Sequence, residues 1–180
     1  MKIKYTLLFG IAILLSAYRI SATEKKNIIH EDGLMSIMNT MMTDMKTMNM
    51  GGNPDHDFAM MMMRHHKAAI EMAHHELQNG KDETMKKKAQ EIADKQTKEM
   101  EDLNVRMKED KDMGKTNPKF KQEIMQNVEQ SDAKMKSQKM TGDEDKDFAM
   151  MMKMHHEMAI DMANIYYKSA TDNKIGRAHV

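Results

Sequence analysis

Methionine and histidine occur together in a short motif that the sequence contains twice. Residues 57–73 read DFAMMMMRHHKAAIEMA, and residues 147–163 read DFAMMMKMHHEMAIDMA. In both copies two adjacent histidines follow methionines by three and four residues, in a chain with 26 Met, 9 His and no Cys. Thioether sulfur and imidazole nitrogen are donors that select soft ions. The motif therefore predicts a site for Cu(I), with Ag(I) and Cu(II) as alternatives.

The candidate ligands are the methionines and histidines of the two copies. On a helix, Met62 lies one turn before His65 and His66, and the two imidazoles lie on either side of an apolar stripe. One helix offers two or three donors, so the remainder must come from a neighbouring helix. Buried imidazoles need partners or cost stability, so core packing alone explains the motif poorly. The predicted metal ligands are Met61, Met62, His65, His66 and Met72, with Met151, Met152, His155, His156 and Met162 in the second copy.

Other methionines and histidines can be explained either as metal ligands or as ordinary core or surface residues. Methionine recurs every three or four residues at 35–48, where it either supplies further thioether donors or packs the core as a flexible apolar side chain. Spacing alone does not separate these roles. His74 and His75 have no histidine counterparts in the second copy and fit either plain surface positions or an auxiliary metal site. His30 and His56 lie near a terminus and a turn, and we expect them to be solvated.

The motif must be held by helices. Gly and Pro are scarce, aromatic residues are few, and charged stretches alternate with Met, Ala, Ile and Leu, which favours an all-α protein. Breaks that contain Gly, Asn or Pro predict helices at 33–49, 55–79, 83–113, 118–139 and 143–169. The third helix has apolar or neutral positions at helical spacing that need a partner. Because short breaks favour antiparallel neighbours, we expect an up-and-down antiparallel helical bundle.

The similarity between the two copies extends upstream of the motif and predicts a tandem repeat of about three helices. The first helical repeat unit is expected at 33–113 and the second at 118–174. The second is truncated, because no counterpart of the third helix follows it. We therefore expect one apolar face of the second unit to be uncovered, with Met and Ile exposed there, and to allow a homodimer.

Charge and the two termini narrow the possible functions. Equal numbers of basic and acidic side chains, 28 of each, argue against a nucleic-acid-binding protein. Residues 1–22 contain two lysines and then a short apolar run, which is typical of a signal peptide for export to the periplasm or beyond the cell. That run is too short to span a bilayer comfortably, which favours a cleaved signal peptide over the alternative of an uncleaved membrane anchor. No membrane segment is expected beyond it. Residues 175–180, IGRAHV, match one reading frame of a common sequencing adapter, and we expect a non-native tail there.

The motif resembles that of the domain of unknown function 305 family, whose members are ferritin-like, copper-binding proteins. The resemblance rests on F-x-x-x-M-x-x-H-H-x-x-A-I-x-M-A, which matches Phe58, Met62, His65, His66, Ala69, Ile70, Met72 and Ala73, and again Phe148, Met152, His155, His156, Ala159, Ile160, Met162 and Ala163. A downstream A-x-x-I-x-x-x-Q-x-x-E pattern matches Ala89, Ile92, Gln96 and Glu99. The resemblance implies an exported helical domain that binds copper through Met and His, and it does not imply catalysis.

These observations predict an exported Cu(I)- or Ag(I)-binding protein that sequesters or transfers copper in copper homeostasis or tolerance. We do not expect it to be an enzyme. A copper pump or copper chaperone is the kind of partner it would have. Because imidazole must be neutral to bind metal, affinity is expected to fall below roughly pH 6. One alternative is a Met-rich helical interaction protein without metal. A weaker alternative is a di-metal carboxylate enzyme, because Glu71 and His74 have the E-x-x-H spacing.

Overall fold

The computed structural model describes the backbone of residues 22–109 and 115–169 and the side chains of residues 33–108 and 115–169. These residues form five helices and no strand, which confirms the predicted all-α fold class. The helices are α1 (Ala22–Thr47), α2 (Pro54–Asn79), α3 (Glu83–Glu109), α4 (Pro118–Lys136) and α5 (Glu144–Ser169). The expected signal peptide, apart from its last residue, and the expected tail lie outside the described residues.

Two helices begin at the signals that the sequence provides. Pro54 and Pro118 occupy the first turns of α2 and α4, where the missing N–H of proline costs no helical hydrogen bond. The side chains of Asn53 and Asn117 each accept a backbone N–H three residues further on. These N-caps satisfy a donor that the helix itself cannot pair. The turns before both helices are therefore specified locally.

Two predicted helix ends were wrong. Helix α1 was expected to start at Gly33 but begins at Ala22, because Gly33 is used for close packing instead of a break. A Cβ at Gly33 would lie 2.1 Å from Nε2 of His75, so only glycine lets α1 pass so near α2 without moving that imidazole. Helix α4 ends three residues early, at Lys136. The hydroxyl of Ser137 donates to a carbonyl of the last turn and ends the helix there.

Helix α2 lies at the centre of the bundle. It packs against α1, α3 and α5, while α4 packs against α5 and α1. Helices α2 and α5 run antiparallel. As residue numbers rise along α2, the residues that they contact on α5 have falling numbers. Three contacts at successive levels show this register: the Phe58 ring stacks on Tyr166 with centroids 4.3 Å apart, the His65 ring stacks on His155, and Nδ1 of His75 lies 2.8 Å from Oε1 of Glu144.

The turns before α2 and α5 have the same construction. The carboxylate of Asp57 accepts two backbone N–H groups from the turn before α2, at 3.0 and 2.6 Å. The carboxylate of Asp147 does the same before α5, at 2.7 and 2.9 Å. Gly52 and Gly142 have φ of 86° and 78°, a left-handed conformation that favours glycine. The sequence similarity upstream of the motif thus corresponds to a repeated turn.

Methionine is the most frequent residue in the described core. The stripe at 35–48 contributes four buried residues, Met38, Met41, Met42 and Met45, so it packs inside the bundle. Helix α3 covers α2 with the predicted stripe, in which Ala89, Gln96 and Leu103 are buried. None of the described helices carries an apolar stretch that would cross a lipid bilayer.

Candidate metal centre

His65 and His155 meet where α2 and α5 pack together. Their rings stack with centroids 3.4 Å apart and planes inclined by 27°, and both residues are almost fully buried. Nε2 of His65 lies 2.8 Å from the carbonyl oxygen of His155, and Nε2 of His155 lies 2.8 Å from the carbonyl oxygen of His65. Since a carbonyl only accepts, both imidazoles must carry their proton on Nε2. The hydrogen bonds are reciprocal, and each ring is oriented by the backbone of the opposite helix.

The reciprocal hydrogen bonds leave Nδ1 of both rings as an unprotonated nitrogen with a lone pair. Neither Nδ1 atom has a hydrogen-bond partner among the described residues, and both are buried. A buried polar atom without a partner is costly and needs an explanation. Metal-ligating histidines commonly donate their other ring N–H to a backbone carbonyl, which fixes the tautomer and orients the ring. Nδ1 of His65 and Nδ1 of His155 are therefore the atoms of this pair that are able to act as metal donors.

The electrostatic surroundings keep both imidazoles neutral. Burial, followed by repulsion from His155, holds the pKa of His65 well below its ordinary value of 6.5. Burial is also the main cause that lowers the pKa of His155 to about 3. These nitrogens therefore stay unprotonated in mild acid. For this pair we therefore expect metal affinity to persist to a lower pH than the value near 6 that an ordinary imidazole predicts.

Thioether groups surround the level of the histidine pair. Met62 and Met152 lie one turn before His65 and His155, and both are buried. The antiparallel register places buried Met158 of α5 at the level of Met62. The repeated motif did not identify Met158 as a candidate ligand, because its counterpart in the first copy is alanine. Only the register between α2 and α5 identifies it as a candidate ligand.

The remaining predicted methionines divide into two groups. Met61 and Met151 are fully buried four residues before the paired histidines. Met72 and Met162 are also fully buried, but each follows its histidine by seven residues, or roughly 10 Å along the helix axis. Met72 and Met162 are therefore not level with the pair, and their role as ligands stays a prediction.

The second histidine of each motif lies in a different environment in the two copies. His66 is buried beneath α3, and its Nε2 lies 3.4 Å from Oε2 of Glu99. His156 is exposed, and its Nδ1 donates to the carbonyl of Met152 at 2.7 Å. The side of α5 on which His156 lies is therefore more open than the α3-facing side of α2, where His66 is buried. That side also carries Ile160, which is 53% exposed, whereas no described methionine is among the exposed large apolar side chains.

The residues of the carboxylate alternative lie on the surface. The side chain of Glu71 is 43% exposed and pairs with Lys67, and His74 is exposed. His75 instead contacts Glu144, and His56 is partly exposed beside Asp57. Among the described residues, no three His, Asp or Glu side chains are placed to hold one ion. This arrangement lends no support to a di-metal carboxylate centre.

An acidic cluster lies at the C-terminal end of α2. It was not predicted from the sequence. Glu76 is fully buried, and its carboxyl is pressed against Gly80, where a Cβ would lie 2.2 Å from Oε1. Burial is the main cause that raises the pKa of Glu76 to about 8, with the nearby carboxylates of Asp145 and Glu144 adding to the rise and Lys86 opposing it. Glu76 therefore keeps its proton at neutral pH. In an amphipathic helix, its spacing alone does not distinguish it from a surface glutamate.

We expect the buried carboxyl of Glu76 to make the free energy of unfolding fall as pH rises. Between its ordinary pKa of 4.5 and about 8, the folded state holds a proton that the unfolded state has lost. The decline is up to about 1.4 kcal/mol per pH unit. Urea unfolding should show this between pH 6.5 and 8, because His65 and His155 act in the opposite direction below pH 6.5. The variant Glu76→Gln should lack the slope, whereas Glu83→Gln on the surface should keep it. Equal slopes in the wild type and Glu76→Gln would contradict the assignment.

The fold and site define an all-helical protein with a buried histidine pair among methionines. The family model described as Domain of unknown function (DUF305) matches residues 15–107, just over half of the chain. The chain therefore belongs to the DUF305 family. The match contains α1, α2, all but the last two residues of α3, and the first copy of the motif. Neither curated proteins nor solved structures gave a match to the chain.

Proposed function

We propose that this chain is an exported protein that binds Cu(I) or Ag(I) and sequesters or transfers it. The observation that carries the proposal is the pair of buried Nδ1 lone pairs of His65 and His155, each preset by an Nε2–H bond to the opposite helix. A bound ion would satisfy both atoms and remove the cost of burying them. Met62, Met152 and Met158 are the nearest thioether candidates by helix level.

The donor chemistry favours a soft monovalent ion. Thioethers are poor ligands for Mg²⁺ and Ca²⁺ and are preferred by Cu(I), while neutral imidazole suits copper in either oxidation state. The core is rich in methionine and the chain has no cysteine. Thioethers do not need to lose a proton to bind, and the pKa values of His65 and His155 are low. Binding at this pair should therefore persist into mild acid.

The position of the pair between α2 and α5 couples binding to the closure of the bundle. One donor imidazole comes from each helix, so an ion held there joins the two helical hairpins. We infer that α1–α2 and α4–α5 are copies of one ferritin-like unit, supported by the equivalent turns at Asp57 and Asp147. An ion that binds only the folded state stabilises it by about 2.7 kcal/mol at a concentration of one hundred times Kd.

Anaerobic titration of the purified chain with Cu(I) in the presence of a chromogenic chelator tests the proposal. The protein should withdraw Cu(I) from the chelator and should melt at a higher temperature when loaded, while Zn²⁺ and Mg²⁺ at the same concentration should leave the melting temperature unchanged. Export is tested separately by fractionating cells that express the full sequence. A chain that fails to compete for Cu(I) and whose melting temperature does not respond to it would overturn the proposed function.

The interaction-protein alternative has less support. A Met-rich adaptable surface requires thioethers that are well exposed, whereas the methionines whose side chains the structure describes are buried or partly buried.

A further inference from the structure

Helix α3 brings a carboxylate to the second histidine of the first motif. Oε2 of Glu99 lies 3.4 Å from Nε2 of His66, and their side chains are 15% and 3% exposed. Nε2 of Gln96, which is buried one turn earlier on α3, donates to the same Glu99 oxygen at 2.9 Å. Nζ of Lys95 lies 3.7 Å from the other oxygen. The carboxylate is therefore held in place from two sides. It lies within ion-pair range of the imidazole, without the alignment of a hydrogen bond to Nε2.

The counterpart histidine in the second motif has the opposite arrangement. Nδ1 of His156 donates to the carbonyl of Met152, so Nε2 is the nitrogen that it leaves unprotonated when neutral. His65 and His155 leave Nδ1 instead. A carboxylate at Nε2 of His66 favours the tautomer with the proton on Nε2, which leaves Nδ1 as the donor atom. His66 then matches the buried pair, and His156 does not.

We propose that Glu99 is a positioning residue that holds His66 with its proton on Nε2 and so presets Nδ1 of His66 as a ligand for the soft ion. This inference rests on the proposed function. It makes the two copies of the motif unequal, because the tautomer of the second copy's His156 is set by its own helix. Partners of this kind are typically worth a factor of about 10–100 in metal affinity.

The tautomer can be measured on the full chain without metal. Nitrogen NMR of histidine-labelled protein should show His66 protonated on Nε2 in the wild type and a mixture of tautomers in Glu99→Leu. Glu99→Gln should restore the Nε2–H form, because its amide oxygen still accepts. Glu91→Leu is the matched control, since Glu91 lies on the same helix and pairs with exposed Lys88. A purely structural role for Glu99 would not produce this dependence on the acceptor.

The affinity measurement gives the second readout. Glu99→Leu should weaken Cu(I) binding by about 10–100-fold, whereas Glu91→Leu should match the wild type. A wild-type His66 protonated on Nδ1, or a tautomer that Glu99→Leu leaves unchanged, would overturn the proposal. If the wild type binds Cu(I) and Glu99→Leu binds it equally tightly, only the role of Glu99 is refuted. If the wild type does not bind Cu(I), the proposed function itself fails.

Discussion

The double variant His65→Phe/His155→Phe should lose more than about 100-fold in Cu(I) affinity, since outer-shell partners alone are worth about 10–100-fold. Phenylalanine keeps two flat rings at the point where the imidazoles stack with centroids 3.4 Å apart, but it provides no nitrogen donor. The helices should therefore stay packed while both proposed Nδ1 ligands are removed. Competition against a chromogenic Cu(I) chelator measures the loss, and circular dichroism checks that the apoprotein is folded.

The exposed His74 provides the control for the histidine pair. His74 lies on α2, as His65 does, but at a surface position. His74→Phe should keep the wild-type affinity. If the double variant kept wild-type affinity while remaining folded, the buried pair would not be the metal site. If His74→Phe alone caused the loss, a surface site on α2 would be indicated instead.

The variant Met62→Leu/Met158→Leu should weaken Cu(I) binding by at least about 10-fold, because it removes two thioethers that lie one helical turn from the histidine pair. Leucine has nearly the volume of methionine, and such exchanges cost less than about 1.5 kcal/mol each. The melting temperature of the apoprotein should therefore change little. A core role without ligation predicts the reverse, in which affinity is kept and any effect appears in stability.

The matched control is Met72→Leu/Met162→Leu, which changes two fully buried methionines of the same helices. These residues were predicted as ligands from the repeated motif, but they lie roughly 10 Å along the helix axis from the paired histidines. We expect this variant to bind Cu(I) as the wild type does. If Met72 and Met162 proved essential for binding and Met62 and Met158 did not, the ligands predicted from the repeated motif would be correct. The ligands inferred from the register between α2 and α5 would then be wrong.

Much of the fold could be predicted because its signals are local. Asn-Pro pairs at 53–54 and 117–118 specify helix starts, and the apolar stripe of α3 specifies its buried face. The start of α1 could not be predicted, because glycine is both a break signal and a close-packing residue. Gly33 serves the second purpose against His75, and only the position of α2 decides between them.

The site could be predicted only in part, since its geometry depends on the register between helices that are distant in the sequence. The repeat identified His65 and His155 as equivalent, but nothing in the spacing shows that they face one another across α2 and α5. Met158 depends on that same register. Glu99 was identified only as part of the downstream pattern, and Glu76 was not identified at all, because burial by a neighbouring helix is not visible in the periodicity of a single helix.

In the proposed site, Nδ1 of His65 and Nδ1 of His155 bind a soft monovalent ion. Nitrogen NMR of the histidine-labelled chain loaded with Ag(I) tests it most directly, because silver has a nuclear spin that couples to a bound nitrogen. The Nδ1 resonances of both residues should shift and be split by silver, while Nε2 of each residue stays protonated. Unchanged Nδ1 resonances for His65 and His155 in a protein that has taken up silver would contradict it.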